Sequence, residues 1–137
     1  MAILTIKEAY LAMYQFMTVY ALRDRHEGFL DMIGSMSFLR DGSTADSGMW
    51  YDWEQAINRI NKNLTDWLTV DEAHAAMRSF LETYNARSPE ESITQTLSQM
   101  TPTASGEQGN STLWKEWLDA VRAAKAQEVD ADLHLIK

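Results

Sequence analysis

Four carboxylates, Asp41, Asp46, Asp52 and Glu54, gather around one short stretch of this chain. Two acids held in different environments have their pKa values pushed apart and serve as a general acid and a general base. A simpler chemistry accounts for these four. Asp41 precedes Gly42, as in a turn, and Asp46 stands where a helix N-cap belongs. Capping and solvation therefore outweigh catalysis as their role.

The histidines, His26, His74 and His134, lack metal-ligand spacing, and no HExxH, Cys/His cluster, P-loop, GxGxxG or GxSxG pattern occurs. The expectation is a protein without catalytic residues, cofactor or metal. Trp50 and Trp53, three apart on one helix, are read as core aromatics rather than a ligand platform. The same holds for Met13, Met36, Met77 and Met100, which sit on apolar stripes.

Charge narrows the partners. A formal net charge of −8 and a pI near 4.7 oppose direct nucleic-acid binding, which relies on clustered Lys and Arg to displace counterions. The same charge suits a basic protein partner, although solubility alone also produces it. No cysteine is present, which excludes a disulfide scaffold and thiolate chemistry. No segment resembles a membrane span. The opening MAILTIKEAYLAMYQF carries Lys7 and Glu8 inside its apolar run, unlike a signal peptide. A soluble cytoplasmic protein is expected.

The elements that position these residues are revealed by an internal repeat. Shifted by 64 positions, residues 4–57 lie on 68–121 without a gap, and sixteen of the 54 aligned pairs are identical. Among them are Thr5/Thr69, Glu8/Glu72, Phe16/Phe80, Arg23/Arg87, Trp50/Trp114 and Trp53/Trp117. Each copy reads as three helices. Thr5-x-x-Glu8 and Thr69-x-x-Glu72 are capping boxes that open the first helix of each copy. Ile6, Ala9, Tyr10, Met13, Phe16, Met17 and Tyr20 then make one apolar stripe, repeated by Val70, Ala73, Met77, Phe80, Leu81 and Tyr84.

The second helix is expected over 27–39, and its twin starts at Ser88-Pro89-Glu90-Glu91. The third starts after a cap at Asp46 or Ser47 and runs through Trp50, Trp53, Ala56, Ile57, Ile60 and Leu64. The fold class expected is all-α: one domain over 1–137 with about six helices, formed by two tandem three-helix repeats related by pseudo-two-fold symmetry. Some 60 residues bury too little apolar surface alone, so the halves are expected to share one core. Residues 127–137 lie outside the repeat, as a short strand or a frayed extension.

Where the copies diverge is informative about partners. DGSTADSGMWYDWE in the first is acidic and compact; its counterpart TASGEQGNSTLWKEW is polar and nearly neutral. Asp41 becomes Ser105, Asp46 becomes Asn110 and Asp52 becomes Glu116. A binding face on one copy, with the other as scaffold, follows as an expectation.

The opening Leu4-Thr5-x-x-Glu8-Ala9-Tyr10 and the block Asp41-Gly42-x-x-x-Asp46-x-x-x-Trp50-x-x-Trp53 resemble small bacterial immunity proteins of polymorphic toxins, including those of contact-dependent growth inhibition. The likeness covers roughly the first 60 residues; the second half shares it only through the repeat and lacks the two aspartates. The resemblance implies a non-enzymatic antidote that binds the C-terminal domain of one cognate toxin. Such toxins are commonly nucleases, tRNases among them, with basic substrate surfaces, and a third protein can join the complex. Partner-binding residues are then expected among Asp41, Asp46, Tyr51, Asp52, Glu54, Glu107 and Glu116, with Tyr51 as aromatic anchor beside charge. Two other classes stay open on sequence: a helical adaptor unrelated to toxins, and a small-molecule binder or enzyme with its site between the halves.

Overall fold

A computed structural model describes residues 3–24, 27–60, 67–87, 89, 91–99, 111–129 and 131. Among them are six helices and one two-stranded sheet, in the order β1 (Ile3–Thr5), α1 (Ile6–Asp24), α2 (Glu27–Met36), α3 (Ser47–Ile60), β2 (Trp67–Thr69), α4 (Val70–Arg87), α5 (Glu91–Gln99) and α6 (Ser111–Lys125). The protein is thus mostly helical, as expected, with a small sheet that the all-α expectation did not include.

The sheet is short and placed at the helix starts. β1 and β2 run antiparallel with Leu4 opposite Leu68, and both leucines are fully buried. Their neighbours Ile3 and Trp67 point outward, as strand alternation requires. Each strand leads directly into a capping box. Thr5 N donates to Glu8 Oε1 at 2.9 Å and Glu8 N to Thr5 Oγ1 at 3.0 Å. Thr69 N and Glu72 N repeat the exchange at 2.9 and 3.1 Å. Two backbone N–H groups that lack helical partners are satisfied at each start.

The apolar stripes face one continuous core. Ala9, Tyr10, Met13, Phe16, Met17 and Tyr20 of α1 are buried, as are Ala73, Met77, Phe80 and Leu81 of α4. The packing partners cross between the copies: α6 lies along α1, and α3 lies along α4. Trp53 of α3 donates Nε1–H to the Ile6 carbonyl at 3.3 Å and meets Phe80 of α4 edge-on at 6.2 Å. Trp117 of α6 donates to the Val70 carbonyl at 3.4 Å and meets Phe16 of α1 edge-on at 6.2 Å. Both indoles are fully buried, as the core reading requires, whereas Trp50 and Trp114 are only half-buried against the edge of that core. Met13, Met36 and Met77 are core as well, while Met100 lies outside the described residues.

Two boundaries differ from the sequence reading. Helix α2 stops at Met36 and not at 39. The Met36 carbonyl accepts the Tyr10 hydroxyl at 2.7 Å, and Phe38 N turns away to the Ala131 carbonyl at 2.8 Å. The chain after α6 ends in a Schellman arrangement: Glu128 N donates to Ala123 O at 2.9 Å and Gln127 N to Ala124 O at 3.1 Å. Gln127 takes the left-handed conformation this needs, at φ 60°. Buried Ala131 then carries the tail against the end of α2. Residues 61–66 and 132–137, Ser88 and Glu90 lie outside the described residues.

Candidate functional site

The loop between α2 and α3 is built by its own small polar residues. Phe38 and Thr44 form an antiparallel bridge. Leu39 N donates to Ser43 O at 2.7 Å, and Gly42 N to Leu39 O at 3.0 Å. Gly42 sits at φ +87°, where a side chain would be strained. Asp41 Oδ1 accepts both the Ser43 amide at 3.0 Å and the Ser43 hydroxyl at 2.6 Å. Those two donors hold its exposed carboxyl below the usual carboxylate range. Asp46 Oδ1 accepts Gly48 N at 2.9 Å, the N-cap expected of it. Ala45 N and Asp46 N in turn donate to Ser37 O and Ser35 O, which pins the loop to the end of α2.

Beyond the cap, α3 presents Tyr51 and Glu54 to solvent. Tyr51 is 60% exposed. With Ile6, Gln55, Ile57 and Asn58 the two line a shallow cleft of about 240 Å³. Asp41, Asp46, Tyr51 and Glu54 therefore all lie on the exposed surface of one loop and the helix it starts.

The other expected residues are placed elsewhere. Asp52 is buried, and its two carboxylate oxygens are taken by Nη1 and Nη2 of Arg87 on α4. It joins two helices and does not present a free acid. Glu116 is half-buried on α6, in a separate groove of about 180 Å³ against Gln15, Phe16 and Val19 of α1. Glu107 lies outside the described residues.

A third cleft, of about 440 Å³, was not legible in the sequence. Lys7 of α1, Phe38 and Gly42–Thr44 of the loop, and Ser47 and Trp50 of α3 surround it. Lys7 Nζ stands 5.4 Å from the Phe38 ring centroid, and Tyr10 packs between Phe38 at 5.4 Å and Trp50 at 5.1 Å. The spacing of Trp50 on its helix was a usable signal, but three separate elements close the cleft.

His74 has a structural environment. It is buried with its ring 5.1 Å from Trp114 and 5.7 Å from Trp117. Burial, with Arg78 adding to it, pushes its pKa down to about 4, so the ring is neutral at pH 7. At the position 64 residues earlier, Tyr10 meets Trp50 and Trp53 in the same way. Burial, and Tyr14 beside it, raise the Tyr10 phenol above its ordinary range. His26 and His134 lie outside the described residues.

Among the described residues no group of three or more His, Cys, Asp or Glu side chains is arranged to hold a metal ion. No helix among them is long and apolar enough to cross a membrane. Comparison of the chain with protein-family models, with curated proteins and with solved structures gives no match.

Proposed function

We propose that this chain is an immunity protein: a cytoplasmic, non-enzymatic antidote that binds the C-terminal domain of a cognate antibacterial toxin and covers its active site or substrate surface. The observation that carries this reading is the exposed set Asp41, Asp46, Tyr51 and Glu54 on the α2–α3 loop and the start of α3. An exposed aromatic ring flanked by carboxylates is the composition of a binding hot spot for a basic surface. A nuclease such as a tRNase offers that surface, because it must hold phosphates. Carboxylates seated there occupy the Lys and Arg that bind substrate, and the net charge of −8 steers the encounter. Asp52 belongs to the support of this face through Arg87, and Glu116 to a separate groove.

We also read the fold as two three-helix repeats related by a pseudo-two-fold axis between Leu4 and Leu68. The matched capping boxes, the matched Trp53 and Trp117 hydrogen bonds, and the crossed pairing of α3 with α4 and α6 with α1 support it. On this reading the first repeat carries the binding face and the second is the scaffold that holds its third helix.

The test is co-purification of the tagged protein from its own bacterial lysate, followed by affinity measurement at two salt concentrations. A basic toxin domain recovered in equal amount, bound more weakly at high salt, is the expected result. Recovery of the chain alone, or with an ordinary cellular partner, sinks the antidote and favours a helical adaptor.

A further inference from the structure

The cleft of about 440 Å³ between α1, the α2–α3 loop and α3 is opposite in charge to the acidic face beside it. Its cation is Lys7, exposed on α1, with Nζ 5.4 Å from the Phe38 ring centroid. A ring face positions an ammonium without neutralising it. No carboxylate among the described residues pairs with Lys7. The acids around it are engaged with donors of their own: Glu8 in the capping box of Thr5, Asp41 with Ser43, and Asp46 with Gly48. Lys7 also stands in the first turn of α1, where a cation opposes the helix dipole and an acid is favoured.

The floor of the cleft is aromatic and fixed. Phe38 and Trp50 lie 6.4 Å apart, tilted by 55°, against the buried Tyr10 ring. Tyr10 is held by its hydroxyl on the Met36 carbonyl at 2.7 Å. Phe38 is held by its amide on the Ala131 carbonyl at 2.8 Å and by its bridge to Thr44. Of the hydroxyls around the cleft, Ser43 donates to Asp41 and Thr44 to the Asp46 carbonyl. The exposed Ser47 hydroxyl has no partner among the described residues, and it is the second free donor on the cleft wall.

The fold does not require this chemistry. At the positions 64 residues later, Lys7 becomes Asp71, Phe38 becomes Pro102 and Ser43 becomes Glu107, whereas Trp50 and Ser47 keep their counterparts Trp114 and Ser111. The capping box at Thr69 closes around Asp71 as that at Thr5 closes around Lys7.

We propose that this cleft binds a small aromatic monocarboxylate, its ring on Phe38 and Trp50 and its carboxylate on the Lys7 ammonium and the Ser47 hydroxyl. The volume is that of a small-molecule site, and ring against ring is the favoured contact on such a floor. One cation calls for one negative charge. Asp41 and Asp46, each next to a lining residue, oppose a second, which disfavours a phosphate or a dicarboxylate. The proposal does not rest on the antidote reading.

The experiment titrates the isotopically labelled full chain with 3-phenylpropionate at pH 7 and follows amide and indole N–H chemical shifts. As comparisons, 3-phenylpropionamide lacks the charge, acetate lacks the ring, and benzylmalonate carries a second carboxylate. The expected result is saturable shifts at Lys7, residues 38–47 and the Trp50 indole, with dissociation in the millimolar range. The three comparison compounds are expected to bind more weakly. Lys7→Met keeps the stem and removes the charge. It is expected to weaken the probe about fivefold, the loss of one exposed ion pair, at a melting temperature no lower than the parent's, and Lys7→Arg restores binding. The proposal is overturned by the absence of saturable shifts, by any comparison compound binding as tightly, or by unchanged binding to Lys7→Met. A toxin domain that binds Lys7→Met more weakly, while 3-phenylpropionate produces no shift, also overturns it and assigns Lys7 to a protein interface. Saturable binding of the probe with no toxin recovered keeps the cleft and removes the antidote.

Discussion

Arg87, at the end of α4, holds both carboxylate oxygens of Asp52 on α3, and the two partners differ in exposure: the acid side chain is 9% exposed and the base 62%. The asymmetry decides how each loss is felt. Removing Arg87 leaves a buried carboxylate with its main donor gone, whereas removing the charge of Asp52 leaves a guanidinium that water can solvate. Arg87→Ala is therefore expected to lower the urea midpoint more than Asp52→Asn, and the double variant to be no less stable than Arg87→Ala alone. Equal and additive losses from the two single changes would show that the pair is not coupled.

His74 gives the protein a specific pH dependence. The unfolded chain binds its proton below pH 6.5, and the fold does so only below about 4. Its contribution to stability is thus complete above pH 6.5 and is lost as pH falls toward 4, about 3 kcal/mol in all as an upper estimate. His74→Phe keeps a ring against Trp114 and Trp117 and removes the titration. Denaturant unfolding at pH 7, 5.5 and 4 is expected to show a steeper fall for the parent than for the variant. Parallel curves would mean that the carboxylates alone govern acid unfolding.

The end of α6 contains a correctable strain. Gln127 occupies the left-handed position of the Schellman turn, which costs a non-glycine residue about 1 kcal/mol. Gln127→Gly is expected to raise stability by about 0.5 kcal/mol, once the greater freedom of glycine in the unfolded chain is subtracted. A thermal midpoint that falls instead would show that the glutamine side chain contributes more than its backbone costs.

Asp46 has two roles that one pair of substitutions separates. Asp46→Ala removes the acceptor of Gly48 N and is expected to cost about 1 kcal/mol. Asp46→Asn preserves the cap at nearly unchanged stability but removes the charge. If the exposed loop engages a basic partner, Asp46→Asn slows association and flattens its salt dependence while the melting temperature holds. Surface plasmon resonance at two ionic strengths reads the difference. An unchanged association rate would confine Asp46 to capping.

Much of the fold was written locally in the chain. The capping boxes at Thr5 and Thr69, the cap at Asp46 and the stripes of α1 and α4 depend on contacts within one helical turn or on a period of 3.6, so spacing alone determined them. The repeat of 64 residues is a property of the sequence, and it also matched the residues around Trp53 and Trp117. Three-residue strands are too short to display an alternating pattern, so β1 and β2 became visible only as a pair, Leu4 against Leu68. The end of α2 was likewise set from outside, by the Tyr10 hydroxyl and the Ala131 carbonyl.

For the candidate site the division is the same. Sequence alone determined that Asp41 and Asp46 shape a loop and that Tyr51 and Glu54 follow on a helix, because turns and caps are local. Tertiary structure decided that Asp52, one residue from Tyr51, faces inward to Arg87, and that Glu116 belongs to a different seam. It also decided that each third helix crosses to the other copy. Adjacent helical residues diverge by about 100°, and which direction meets a partner depends on elements far away in the chain.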